Sequence, residues 1–341
     1  MRSRTHARRA RIRGLLIGFC ACLALLAAGA PAALAASGYD YYLDGSAADV
    51  APATTAGLLL AGGATDNDDA MRWFLDRSGG GDVVILDAYG RDDYGPYIYN
   101  DLGGVDSVQS FVFKQRSASW DPRVLEALAN AEAIFIDGGN QWNYVSLWQD
   151  TPVEDAINLA ALTKPVGGIS AGLAVQGEFC YGARLGTIRS DQALKDPFYS
   201  HVWLVKDFLR LPFLGGTITD SHFVARDRMG RLMTFLARII TDGWATQVRG
   251  IGVDESTTVA VDERGRARVF GFGTAYFLRT TAAPGVCVKG VPLTFRNVSV
   301  YRVTPGATFD LISWSGKGGT AYRLSAVAGV LVSTQDGGAI Y

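Results

Sequence analysis

Histidine and cysteine are scarce in this chain. Its 341 residues hold three histidines and four cysteines, and the shortage excludes several chemistries. No His/Cys spacing of a zinc site is present, and no phosphate loop of the Walker type. Neither a metal nor a nucleotide cofactor is therefore expected. Asp66, Asp68 and Asp69 resemble a carboxylate ligand group, but acids in the first turn of a helix explain them as well. Charged residues are 19% of the chain against 48% hydrophobic, a balance that excludes wholesale disorder. Internal repeats and low-complexity linkers are absent. Beyond residue 36 no stretch is apolar enough to span a membrane.

Acid is missing altogether from residues 1–36, which carry six arginines. The remainder has 26 basic residues against 33 acidic ones, a net of −7, so nucleic acid is a poor partner for it. The arginines precede an uncharged run from Gly14 to Ala30, and Ala33-Leu34-Ala35 follows Pro31. This order predicts a secretory signal peptide cut near Ala35 or Ala36 and export to the periplasm or beyond. An uncleaved anchor is the competing reading. Two cysteines remain after such a cut, Cys180 and Cys287. They form either a disulfide, which an exported chain permits, or two separate buried thiols.

What is abundant is short apolar segments alternating with helical spacing. Strands are predicted at 57–63, where the apolar run ends in glycines, and at 82–87, 105–113, 133–136 and 165–169, and helices between them from Asp66, Pro122, Trp142 and Val153. Strands apolar on both faces predict a mostly parallel sheet covered by helices, with ligands at the strands' carboxyl ends. Those ends hold Gly62-Gly63, Asp137-Gly138-Gly139-Asn140-Gln141 and Ser170. From about Val248 shorter β-like segments take over, which predicts an antiparallel extension or a small β appendage.

Gly168-Ile169-Ser170-Ala171-Gly172 places a serine between a buried strand and a helix start. That is the setting of a nucleophile elbow, with the Ala171 amide beside a developing oxyanion. A serine nucleophile needs a base. Outside the leader only His201 and His222 are on offer, and His222 sits where a strand gives way to a helix, in Asp220-Ser221-His222-Phe223. The acid that orients the base has two candidates. Asp254-Glu255 ends an apolar run, with the two side chains on opposite faces, so that one serves the site and the other a loop. Asp220 is the nearer in sequence.

These pieces together resemble the cyanophycinases and their relatives, among them the dipeptidase E group of serine peptidases. The resemblance rests on Asp137-Gly-Gly-Asn-Gln141, on Gly168-Ile-Ser-Ala-Gly172, on Asp220-Ser-His-Phe223 with Arg226, Arg228, Gly230 and Arg231, and on Gly250-Ile-Gly-Val-Asp-Glu255. They stand in the family's order and cover about residues 55–265. The resemblance implies a three-layer αβα sandwich like that of class I glutamine amidotransferases. It implies Ser170 as nucleophile, His222 as base and Glu255 as acid, with Gly139 and Ala171 as oxyanion-hole amides. Gln141, Asp220, Arg226, Arg228 and Arg231 match substrate-binding positions. In the dipeptidase E group the acid lies between Ser and His, which keeps Asp220 as an alternative. The chain departs from the pattern at Ile169 (usually Thr) and Ser221 (usually Gln). Its 51-residue connection between Ser170 and His222 is longer than expected.

The expected organisation is a signal peptide over 1–36, a serine hydrolase αβα domain over 37–270 and a β-rich C-terminal extension over 271–341. The expected activity is an exported serine exopeptidase cleaving cyanophycin, an aspartate backbone with arginine side groups, to β-Asp-Arg dipeptides. The alternatives are a secreted dipeptidase or isoaspartyl peptidase of the same fold and a non-catalytic ligand-binding relative. The expected partner is a peptide or polymer substrate, with no nucleic acid and no stable membrane partner, and a homodimer is left open. Three arginines after the base offer carboxylate-binding forks.

Overall fold

A computed structural model describes residues 38–88, 90 and 93–341. The leader predicted over 1–36 lies outside them. The apolar segments become strands β1 (Tyr39–Gly45), β2 (Gly57–Ala61), β3 (Asp82–Asp87), β4 (Ser107–Phe113), β5 (Ala133–Ile136) and β6 (Pro165–Ile169). They pair in the order β1-β4-β3-β5-β6-β2, parallel throughout except at β1.

The unbroken apolar runs follow from burial on both faces. Leu58, Leu60, Val84, Leu86, Ile134 and Ile136 pack into one core layer. Their strand neighbours Leu59, Val83, Ile85 and Phe135 pack into another. Successive strand residues point to opposite faces, so a sheet covered twice needs apolar residues at every position. The first layer is closed by helices Pro122–Asn130, Gln141–Trp148 and Pro152–Ala160, the second by helix Asp68–Asp76. Their starts are fixed by the sequence. Asn67 accepts from the Ala70 amide at 2.9 Å, Asp121 from Arg123 at 2.9 Å and Asn140 from Trp142 at 2.9 Å, each satisfying an otherwise orphaned helical N–H. Pro122 stands at the first position of its helix, where a missing N–H costs nothing.

A second sheet, not foreseen from the alternating rhythm, takes β7 (Phe179–Tyr181), β8 (Leu204–Lys206), β9 (Thr217–Asp220) and β10 (Arg249–Val253), with β7-β9-β10 parallel. Helix Met229–Thr241 buries Leu232, Met233, Phe235, Leu236 and Ile239 against it.

The C-terminal strands join both sheets. β11 (Thr257–Asp262) pairs antiparallel with β2, and β12 (Arg266–Gly271) follows it. β13 (Ala275–Arg279), β14 (Phe295–Val303), β17 (Thr320–Val327) and β18 (Val330–Ser333) extend the second sheet. β15 (Thr308–Asp310) and β16 (Ser315–Lys317) extend the first. Residues 271–341 therefore build onto the strands that precede them, and Ser37–Tyr341 cluster as one compact unit. Cys180 and Cys287 are both buried and both free, which settles the cysteine alternatives in favour of separate thiols. Among the described residues no helix is long and apolar enough to cross a membrane. Asp68 and Asp69 stand in the first turn of their helix, and Asp66 accepts from the Tyr94 hydroxyl at 2.9 Å.

Candidate active site

The residues with chemical potential gather at the carboxyl ends of β2, β5, β6, β9 and β10. Ser170 follows β6 directly and opens the short helix Ala171–Ala174. Its backbone is at φ +54°, ψ −106°, a sparsely populated region that persists only where neighbours enforce it. The Ser170 amide donates to the Ala61 carbonyl at 2.9 Å. The glycines of the elbow are sterically required. A Cβ on Gly172 would lie 2.0 Å from the Ile136 carbonyl oxygen, and one on Gly168 would meet Gly172 backbone at 2.8 Å. The helix can thus descend onto β5 and leave Ser170 half-buried but accessible.

Ser170 Oγ stands 2.7 Å from His222 Nε2, and His222 Nδ1 stands 2.6 Å from Glu255 Oε1. The imidazole is held from several sides. Its own amide donates to the Gly62 carbonyl at 2.8 Å, and a Cβ on Gly63 would fall 2.3 Å from ring carbon Cε1. His222 adopts φ +46°, a second strained residue in the same site. Asp254, the companion of Glu255, accepts from the amides of Val224 and Ala225, each at 3.0 Å. The two neighbouring carboxylates therefore divide between base and loop. Burial pulls the His222 pKa below the ordinary histidine value, and the Glu255 hydrogen bond acts against that shift. The imidazole is thus neutral and able to accept a proton near pH 7. Glu255 is held below the usual carboxylate range, first by its hydrogen bond to His222. His201 lies elsewhere, its ring against the Thr187 carbonyl at 3.3 Å.

The Asp137-Gly138-Gly139 turn runs alongside Ser170. A Cβ on Gly138 would sit 3.6 Å from Ser170 Cβ, and Gly139 has φ +124°, a conformation suited to glycine. Tyr144 buttresses this turn by donating to the Asp137 carbonyl at 2.8 Å. The amides of Gly139 and Ala171 have no acceptor among the described residues, the state expected of oxyanion donors before substrate arrives. Burial pushes the Asp137 carboxyl up to about 7, against a hydrogen bond from the Gly138 amide.

Asp220 does not face His222. It is buried beneath two arginines: Arg231 Nε donates to Oδ2 at 2.8 Å and Nη2 to Oδ1, while Arg228 Nη1 approaches Oδ1 at 3.5 Å. Arg228 also donates to the Ser221 carbonyl at 2.8 Å and approaches the Ser221 hydroxyl at 3.3 Å. Burial lowers the Arg228 pKa, yet an arginine so placed stays charged at neutral pH. Arg226 is exposed and reaches Glu255 at 3.4 Å. The three arginines and Gln141 line a cavity of about 410 Å³ beside Gly139. A larger cleft of about 720 Å³, between helix Asp68–Asp76 and β12, β15 and β16, contains none of the candidate residues.

Two contributors had no signal in the sequence. Tyr181 and Thr187 line the same cavity, Thr187 Oγ1 taking a bond from Arg231 at 3.2 Å and the Tyr181 ring lying 5.1 Å from its guanidinium. Both belong to the long connection after Ser170, where no motif marks them. Among the described residues no group of three His, Cys, Asp or Glu side chains could hold a metal ion.

The family model and the curated relatives agree with the resemblance. The model of peptidase family S51 matches residues 97–266. A cyanophycinase of Synechococcus elongatus is 30% identical over 277 residues, 75% of this chain and 79% of the relative. A cyanophycinase of Trichormus variabilis is 26% identical over 276 residues, 76% of this chain and 87% of the relative. Among solved structures, a peptidase from an acI-B1 Actinobacterium superposes with a TM-score of 0.48 and 17% identity, covering 75% of this chain and 97% of that one.

Proposed function

This chain belongs to peptidase family S51 and is a serine-type peptidase, and from that premise we propose that it hydrolyses cyanophycin to β-Asp-Arg dipeptides through Ser170, His222 and Glu255. The observation that carries the catalytic part is the continuous relay from Ser170 Oγ to His222 at 2.7 Å and on to Glu255 at 2.6 Å. Ser170 Oγ attacks the scissile carbonyl carbon as its proton passes to His222 Nε2. Glu255 fixes the tautomer and balances the imidazolium. The oxyanion meets the amides of Gly139 and Ala171. The C–N bond then breaks, and the leaving amine takes the proton from His222. Water adds to the acyl-serine, gives a proton to His222 and releases the acid, and the proton returns to Ser170.

The substrate part is supported by the cyanophycinase relatives and by the cavity lined with Arg226, Arg228 and Gln141, which suits a carboxylate-bearing residue. Asp220 lies behind Arg228 and is itself held by Arg231. The arginine-rich, acid-free start of the chain supports export, which would make this a scavenger of polymer released from other cells. The test is incubation of residues 37–341 with insoluble cyanophycin and measurement of soluble β-Asp-Arg. Release is expected. Cleavage of β-aspartyl dipeptides with no release from the polymer would overturn the substrate and favour the isoaspartyl peptidase alternative.

A further inference from the structure

One cation at the rim of the cavity has no role so far. Arg184 lies in the long connection after Ser170, between Ala183 and Gly186, both of which line the cavity. Its guanidinium carbon is 5.0 Å from the ring centroid of Trp142 and 4.7 Å from that of Trp203. The two indoles meet edge to face at 6.4 Å and 80°. Trp142 follows Gln141, another cavity residue, and Trp203 is tied to the connection by the Gly182 amide, which donates to its carbonyl at 2.9 Å. Arg184 is exposed, and among the described residues no carboxylate forms a salt bridge with it.

An exposed arginine is ordinarily free to sample many rotamers, and fixing it costs side-chain entropy. Two aromatic faces restrict this one before any ligand arrives. A guanidinium held over aromatic rings engages them without using its N–H donors as hydrogen bonds, and a free edge of that group matches a carboxylate in bidentate fashion. The wall on which it stands leads into the cavity where Arg228 lies. We propose that Arg184 forms a second substrate subsite, binding a carboxylate on the residue that adjoins the one held in the cavity. The substrate class is then an oligopeptide with acidic groups on two neighbouring units. This rests on the peptidase reading above and extends it from one residue to two.

The test uses two synthetic β-aspartyl-arginine dimers, identical except that the second unit carries a free carboxylate or its carboxamide. Their binding is measured by calorimetry on Ser170→Ala protein with Arg184 retained or changed to Lys, Gln or Ala. With Arg184 the carboxylate dimer should bind about ten-fold more tightly than the carboxamide, the scale of one charge-assisted hydrogen bond. The ratio should fall to about one in the Ala and Gln variants and part of the way in Lys, which keeps the charge without the fork. Trp203→Ala should reduce the ratio without abolishing it. A preference that survives Arg184→Ala overturns the subsite. So does an Arg184 protein that binds both dimers equally or binds neither. Turnover by the wild type is read separately. Binding preference without hydrolysis of either dimer would leave the subsite standing and remove the peptidase assignment. Hydrolysis of both at equal rates with no preference in binding would do the reverse.

Discussion

The Ser170 side of the site and the arginine side are built from the same kind of sequence signal, a short polar motif at a strand end, yet they spend their polar groups differently. Around Ser170 and His222 the side chains form an open line that ends on a half-buried hydroxyl. Around Asp220 the charges close on one another: Arg231 is 1% exposed and its fork is occupied by the Asp220 carboxylate. Density of arginine beside a base does not by itself count ligand contacts. A guanidinium is available to substrate only through the N–H groups that no internal acceptor already holds, and at Arg231 Asp220 takes two of them.

The largest effect that would sharpen this contrast is on the Ser170 side. Ser170→Ala should lower the hydrolytic rate by on the order of 10⁴–10⁶ while leaving substrate affinity within a few-fold. Steady-state kinetics together with calorimetry check it. Retention of a tenth of the activity would break the assignment of the open line as the catalytic one.

The next effect belongs to the closed side. Asp220→Ala leaves two buried guanidiniums without their carboxylate and should cost about 3–5 kcal/mol of stability in urea unfolding. A loss under ~1 kcal/mol would mean that Asp220 is not the support of the arginines, and the contrast would collapse.

Acidity distinguishes the two halves in smaller steps. Because burial lowers the His222 pKa, the acid limb of kcat/KM should have its midpoint below the ordinary histidine value of about 6.5. Glu255→Gln removes a group that raises this pKa, so the limb should move to still lower pH as the rate falls. An upward move would contradict the 2.6 Å contact. Asp137 behaves oppositely. Its folded-state pKa of about 7 exceeds the unfolded carboxyl value, so the folded state binds the extra proton. The contribution of Asp137 to stability is present at low pH and is lost as pH rises from about 4 to 7. Asp137→Asn should therefore flatten the decline in denaturant midpoint over that window.

The smallest effect probes how the C-terminal strands reach the site. The Tyr341 hydroxyl donates to Asp227 at 2.7 Å and accepts from the Met229 amide at 3.0 Å, at the start of the helix that carries Arg231. Its ring meets Phe223, the neighbour of His222, edge-on. Tyr341→Phe keeps the ring and should cost only about 0.5–1.5 kcal/mol, read as a shift in melting temperature.

The parallel core and the elbow were legible in the sequence because each has a local cause. Apolar residues at consecutive positions mean a strand buried twice, and Gly-x-Ser-x-Gly after such a strand means a turn too tight for Cβ atoms. The split of Asp254 from Glu255 was expected from strand alternation, but both residues lie past the end of β10, in the turn before β11, and that turn rather than the pleat divides them. The second sheet was not legible, because β7 and β8 are three residues long and carry no period of their own, and the strand read just before His222 gave no sign of its neighbours. Their pairing is decided by long-range contact. The closure of Asp220 on Arg231 was equally hidden. Eleven positions separate them, and the pairing exists only once strand and helix have packed. Nothing in the 51-residue connection announced Arg184 either, because Trp142 lies outside that connection and Trp203 is 19 positions further along it, so their meeting depends on the fold.

The most direct test of the central claim sets Glu255→Gln against Asp220→Asn in single-turnover acylation at saturating substrate, at a temperature where both variants remain folded. The account predicts that Glu255→Gln slows acylation by on the order of 10⁴, the scale for losing the acid of such a triad, and that Asp220→Asn acts mainly on KM. A greater loss of acylation rate in Asp220→Asn than in Glu255→Gln would contradict it.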